Sequence, residues 1–130
     1  MKPHITLITI GVKDLTVSRK FYEEKLGWKC MDHSDENIVF FQLDGLLFSL
    51  YPVDKLAEDA LTKANGKGFK GFTLAHNLGS EQEVDQLIQE LQNKGVTIVK
   101  KPQKVFWGGY SAYFADPDEN LWEVAYNPFF

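Results

Sequence analysis

The sequence predicts an α+β fold: one domain over residues 1–130, made of two similar βαβββ modules at about 1–64 and 65–130. Three observations predict it. The order strand, helix, three strands occurs twice. The strand candidates are short, β-branched and bounded by turn residues. A chain of 130 residues is long enough to bury a real core yet short enough for a single domain.

Ile5 to Val12 is β-branched and apolar between Pro3 and Asp14, and reads as the first strand. Asp14 is placed to cap a helix running to Leu26, with Leu15, Phe21, Tyr22 and Leu26 near helical spacing and Gly27 as its stop. Strands are expected near 28–33, 37–43 and 46–51, with Asp44-Gly45 as a tight hairpin turn between the last two. Residues 54–64 read as a short connecting helix, and Gly66, Gly68 and Gly71 as a permissive loop.

The second round opens with a strand from Phe69 to His76. Ser80-Glu81-Gln82-Glu83 is a capping box, in which the Ser hydroxyl accepts from the Glu83 amide and the Glu side chain reaches back. Val84, Leu87, Ile88 and Leu91 then form one apolar face, and Lys94-Gly95 ends the helix. Strands are expected near 96–100, 110–115 and 121–126. The last two are joined by Asp116-Pro117-Asp118-Glu119-Asn120, where Asn120 is the residue expected to tolerate a left-handed conformation. In the repeat, Thr9-Ile10-Gly11 sits opposite Thr73-Leu74-Ala75, and Ser49 opposite Glu123.

Composition narrows the function classes. A hydrophobic fraction of 44% and a charged fraction of 25% are ordinary globular values and argue against disorder or a coiled coil. A net charge of −4, with scattered lysines, argues against a nucleic-acid partner, and the short run Lys100-Lys101 with Lys104 reads as solubilising an edge or turn. Cys30 is the single cysteine, so neither an internal disulfide nor a cysteine metal site can form. No apolar run approaches the ~20 residues of a membrane span, and the apolar opening lacks a small-residue cleavage site. The expected location is the cytoplasm, with no membrane partner.

At this point a family resemblance becomes specific. The run Ile10 to Trp28 carries Val12, Asp14, Leu15, Ser18, Phe21, Tyr22, Leu26 and Gly27 in register. At the other end stand Phe106-Trp107-Gly108-Gly109-Tyr110, Tyr113-Phe114-Ala115-Asp116-Pro117-Asp118 and Leu121-Trp122-Glu123-Val124. Over nearly the whole chain this resembles the vicinal oxygen chelate superfamily of glyoxalases, bleomycin-resistance proteins and dioxygenases. The resemblance implies curved mixed sheets with helices on their convex sides, a cleft formed by the concave sides around a small-molecule ligand, and a homodimer.

Strand parity adds an independent reading, since side chains alternate between faces. Ile8, Ile10, Phe48, Leu50, Phe72, Leu74, Trp122 and Val124 are wholly apolar and suit packing under helices. Leu7, Thr9, Ser49, Tyr51, Gly71, Thr73, Glu123 and Ala125 are smaller and more polar, and line either a cleft or solvent.

In metal-dependent members the resemblance implies four ligands from the first and fourth strands of each module. They carry over here to Leu7, Ser49, Gly71 and Glu123. A leucine, a serine and a glycine cannot replace imidazole or carboxylate donors, and one carboxylate is not enough. His4 has the wrong parity, His76 the helix-facing parity at a strand end, and His33 lies in or beside a turn. No cofactor is therefore expected, and a divalent metal stands as the alternative.

Glu123 is the candidate catalytic residue. On a small, mostly apolar face, desolvation would raise its pKa and make it a usable proton acceptor or donor. The structural alternative is a Glu123 that hydrogen-bonds backbone or a tyrosine. Phe106, Trp107, Tyr110 and Tyr113 supply aromatic surface, and Trp107 beside Gly108-Gly109 is expected to close over the cleft from a flexible turn. The candidate ligand contacts are Trp107, Tyr110, Tyr51, Thr9, Ser49 and Thr73. No nucleophile with a supporting histidine and no phosphate-binding glycine pattern is present.

Three functional readings follow. The first is metal-free binding of a small aromatic or cationic ligand, as in antibiotic-sequestering relatives. The second is a metal-free isomerase or lyase with Glu123 as general base. The third is a metal-dependent enzyme resembling lactoylglutathione lyase.

Overall fold

A computed structural model describes residues 1–130, which fall into two compact units, Met1–Gly66 and Lys67–Phe130. The division lies two residues beyond the one expected from the repeat.

In the first unit, β1 (Leu7–Val12) leads into α1 (Leu15–Lys20) and then a π-helical turn at Phe21–Lys25. Asp14 caps α1 by accepting from the Val17 amide at 3.0 Å. β2 (Val39–Leu43) and β3 (Leu46–Pro52) follow, then α2 (Val53–Asp59). β3 is central, with β1 parallel on one side and β2 antiparallel on the other. A parallel neighbour requires a crossover, and the stretch containing α1 supplies it.

The strand expected over 28–33 does not form; Cys30 makes a single bridge to Phe41. The polar run after it organises itself instead. Asp35 accepts the amides of Asn37 and Ile38 at 2.7 and 3.1 Å, and Ser34 Oγ accepts from the Phe40 amide at 2.9 Å. Side chains that satisfy their own backbone compete with ladder pairing.

The core of this unit is aromatic. Tyr22 is fully buried, with its ring centroid 5.3 Å from those of Phe21, Trp28 and Phe48 and 5.9 Å from that of Phe41. Each such fully buried side chain contributes roughly 1.5–3 kcal/mol of transfer free energy. Gly11 sits where α2 begins: a Cβ there would lie 2.9 Å from Val53 Cγ2, so only glycine admits that helix against β1.

The second unit has the sheet order β4-β7-β6-β5, with β4 (Leu74–Leu78), β5 (Thr97–Lys104), β6 (Tyr110–Ala115) and β7 (Leu121–Tyr126). The expected strand over 69–76 is shifted. Residues 69–73 form no strand, because Gly68 and Gly71 take φ of +78° and +82°, outside the β region. Lys70 is instead bound to the β6–β7 turn, donating to the Asp118 carbonyl at 2.9 Å and to Asn120 Oδ1 at 2.8 Å.

α3 (Glu81–Asn93) follows the capping box. Ser80 Oγ accepts from the Glu83 amide and donates to Glu83 Oε2, both at 3.2 Å. Val84, Ile88 and Leu91 are buried against the sheet.

In the β6–β7 turn, Asp116 Oδ1 accepts the amides of Asp118 and Asn120 at 2.9 Å, and Asn120 Nδ2 donates to Asp116 Oδ2 at 2.8 Å. The left-handed residue is Glu119, at φ +62°, and not Asn120 as expected. Asn120 is buried and held by Asp116, so the reversal falls on the residue before it. No helix is long and apolar enough to cross a membrane.

Candidate functional site

The second unit carries the densest chemistry. Lys100 stands opposite Tyr113, Tyr113 opposite Glu123, and Glu123 opposite Ala75. Opposed residues in paired strands share a face, so these four form one row across the sheet. The neighbouring parity holds Trp122, Phe114 and Tyr110, and Tyr110 reaches Asp85 on α3 with a 2.6 Å hydrogen bond. The row therefore lies on the face turned away from α3.

Within the row, the Tyr113 phenol stands beside the Glu123 carboxylate and within the influence of the Thr73 hydroxyl. Burial first, then the charge of Glu123 and the hydrogen bond to it, push the Tyr113 phenol above its ordinary range; Thr73 works the other way. Tyr113 and Glu123 are both half-buried, whereas Thr73 is exposed. The Lys100 ammonium lies 5.7 Å from the centroid of the Tyr113 ring, within cation–π range.

In the first unit, Thr9 Oγ1 and Ser49 Oγ share a 2.7 Å hydrogen bond between opposed positions of β1 and β3. Ser49 is fully buried and Thr9 half-buried. Tyr51 stands opposite Gly11 on the same face and is half-buried. Phe40 opposes Ser49 from β2, and its ring lies 5.1 Å from that of His33.

One expected ligand contact is placed elsewhere. Tyr110 lies on the α3 face, where Asp85 holds its hydroxyl. Trp107 folds back within its own turn. Its ring lies on the Gly109 backbone, so closely that a Cβ there would fall 1.8 Å from Trp107 Cζ3. The turn is closed by 3.0 Å bonds from the Val105 amide to the Gly109 carbonyl and from the Gly108 amide to the Val105 carbonyl. Phe106, the preceding residue, is the one fully exposed to solvent.

The register also corrects one family position. Glu123 pairs with Ala75 as Ser49 pairs with Thr9, so the residue equivalent to Leu7 is Thr73 and not Gly71. The set Leu7, Ser49, Thr73 and Glu123 offers a divalent metal one carboxylate. The Ser49 hydroxyl is bonded to Thr9. His76 opposes Val124 within β4, off the Glu123 face, and His4 precedes β1. No three His, Cys, Asp or Glu side chains gather where an ion could be held. The residues do not fit the metal that the fold family implies.

Away from this row, Arg19 Nη2 donates to Cys30 Sγ at 2.8 Å, and Arg19 Nε pairs with Glu23 at 3.2 Å. Burial pushes the Cys30 thiol up and Glu23 adds to that, while Arg19 opposes it.

Lys100 is the residue that sequence reasoning missed. Two register shifts in β5 change its parity relative to Ile98 and Gln103, so simple alternation could not bring it to Tyr113. Pro102 in an otherwise β-rich run was the available sign of an irregular edge strand.

The chain matches the family model of the Glyoxalase/Bleomycin resistance protein/Dioxygenase superfamily over residues 3–124. Among solved structures it is similar to a glyoxalase-related enzyme from Fulvimarina pelagi, at 32% identity over 97% of this chain and 89% of that one, with a TM-score of 0.85. It is also similar to a glyoxalase/bleomycin resistance protein/dioxygenase from Nocardioides, at 25% identity over 97% and 84% of the two chains and a TM-score of 0.82. Lactoylglutathione lyase from Agrobacterium tumefaciens shares the fold at 20% identity, 98% and 96% coverage and a TM-score of 0.75.

Proposed function

Because the chain belongs to the glyoxalase/bleomycin resistance protein/dioxygenase superfamily, we propose that it binds a small organic ligand without a metal, on the face of the second unit that carries Glu123. The observation that supports this reading is the Tyr113–Glu123 pair set among small residues. Ala75, Ala115, Ser111 and Ala125 lie on the same face around a half-buried carboxylate and a phenol ring. A carboxylate with an aromatic ring beside it suits a ligand that presents a cation or a strong hydrogen-bond donor. The donor set favours this over the metal-dependent alternative resembling lactoylglutathione lyase.

The shape of the family's activities leaves sequestration, as in bleomycin resistance, as the leading form of the proposal, in a cytoplasmic homodimer. Titration of the full chain against cationic aromatic compounds should give saturable binding by calorimetry, weakened by Glu123→Gln. Absence of heat across a broad panel would overturn the reading. Sedimentation of the purified chain tests the dimer.

One observation favours a second reading, a metal-free isomerase or lyase. Tyr113, opposed to Glu123 across the paired strands, sets a proton-bearing phenol beside that carboxylate. In that case Glu123→Gln keeps ligand affinity and abolishes turnover, whereas a sequestering protein shows no turnover in either form.

A further inference from the structure

We infer that Lys100 is the anion anchor of the Glu123 face, so that the ligand is a small organic zwitterion with its cation and its anion at opposite ends. The inference rests on the binding reading above and adds to it the class of molecule bound.

Lys100 and Glu123 flank Tyr113 on one row, a cation at one end and a carboxylate at the other. Two strand spacings put their backbones roughly 10 Å apart. Lys100 is half-buried, unlike the exposed Lys101 and Lys104 beside it. Its ammonium lies 5.7 Å from the centroid of the Tyr113 ring, whereas Lys104 on the same strand pairs with Glu81. Lys100 is thus a half-buried lysine whose ammonium faces a ring and is paired with no carboxylate.

The β5 irregularity gives this a structural basis. The register shifts on both sides of Lys100 turn it toward Tyr113, and Val99 falls on the bulge, 54% exposed. A bulge that re-aims one side chain while exposing an apolar neighbour is a local cost, and the side chain it delivers is the only cation on the row. A ligand anion at Lys100 would gain a charge-assisted bond, and the ligand's cation at Glu123 would gain another, with an apolar spacer over the Ala and Tyr113 surface between them.

The experiment compares benzylamine with 4-(aminomethyl)benzoate, the same amine with a carboxylate at the far end of the ring, by calorimetry on the full chain. The native chain should bind the zwitterion roughly tenfold more tightly than the amine. Lys100→Met should bring the two affinities together by weakening only the zwitterion, and Lys100→Arg should keep the preference. Thermal unfolding of each variant, matching the native chain, excludes misfolding. If the amine binds and the carboxylate gives no advantage, or if Lys100→Met keeps the advantage, the anchor is wrong and the binding reading stands. If neither compound binds, and the wider cationic panel is also silent, both fail.

Discussion

The Tyr110 hydroxyl donates a 2.6 Å hydrogen bond to Asp85 Oδ1 and so ties the start of β6 to α3. That bond is the largest influence on the phenol; burial and the charges of Asp85 and Glu81 add to it, and together they push it up to about 12. A group whose pKa is raised on folding stabilises the fold fully below its unfolded value, near 10 for tyrosine. The contribution is then lost as pH rises through the folded value. The unfolding midpoint of the native chain should therefore fall more steeply between about pH 10 and 12 than that of Tyr110→Phe. Parallel slopes in the two proteins would contradict this.

Glu119 holds φ at +62° on an exposed turn, where a Cβ is crowded and glycine is not. Its amide bond to the Asp116 carbonyl at 3.0 Å is made by the backbone and survives any side-chain change. Glu119→Gly should therefore stabilise the fold by about 1 kcal/mol, after the entropy glycine adds to the unfolded chain. A calorimetric midpoint a few degrees higher is expected, and a lower one would show that the Glu119 side chain has work of its own in the turn.

Ser18 is fully buried in α1, and its hydroxyl has no hydrogen-bond partner. An unsatisfied buried hydroxyl is costly, and alanine is also the better helix former. Ser18→Ala should raise stability by about 1 kcal/mol in urea denaturation at unchanged slope. A loss instead would mean that the hydroxyl is satisfied in solution.

Gly109 is covered by the far edge of the Trp107 ring. In Gly109→Ala that ring must leave, which a side chain can do by rotating, so the fold should persist with the indole moved into water. The expected signature is a red-shifted tryptophan emission with increased acrylamide quenching and a small drop in midpoint. An unchanged spectrum would place the ring elsewhere.

Most of the architecture was legible because it rests on local signals. Asp14 and Ser80 mark helix starts by supplying the acceptor that an exposed amide lacks, and both do so in the structure. Alternation in β1, β3 and β7 identified Thr9, Ser49 and Glu123 as sharing parity, and each lies on the polar side. The failures are equally physical. The stretch after Gly27 has strand-like residues but no partner beyond one bridge, since Ser34 and Asp35 bind their own backbone. The helix expected to Leu26 ends its α-form at Lys20 and passes into a π-helical turn, which apolar spacing does not reveal. Tyr110 and Trp107 were read by residue type. Their placement is decided by Asp85 and Gly109, contacts across 25 residues in one case and within a turn in the other.

The irregular β5 rim has a bearing on how the molecule behaves in a crowd. An outer strand with unpaired amides is an invitation for neighbouring chains to add on. Here that rim has a proline, which offers no amide, three lysines that repel an incoming copy, and kinks that spoil a straight match. Concentrated solutions should accordingly resist fibril growth along this side. Replacing Pro102 and Lys101 with threonines would weaken that protection, leaving Lys100 and Lys104 in place.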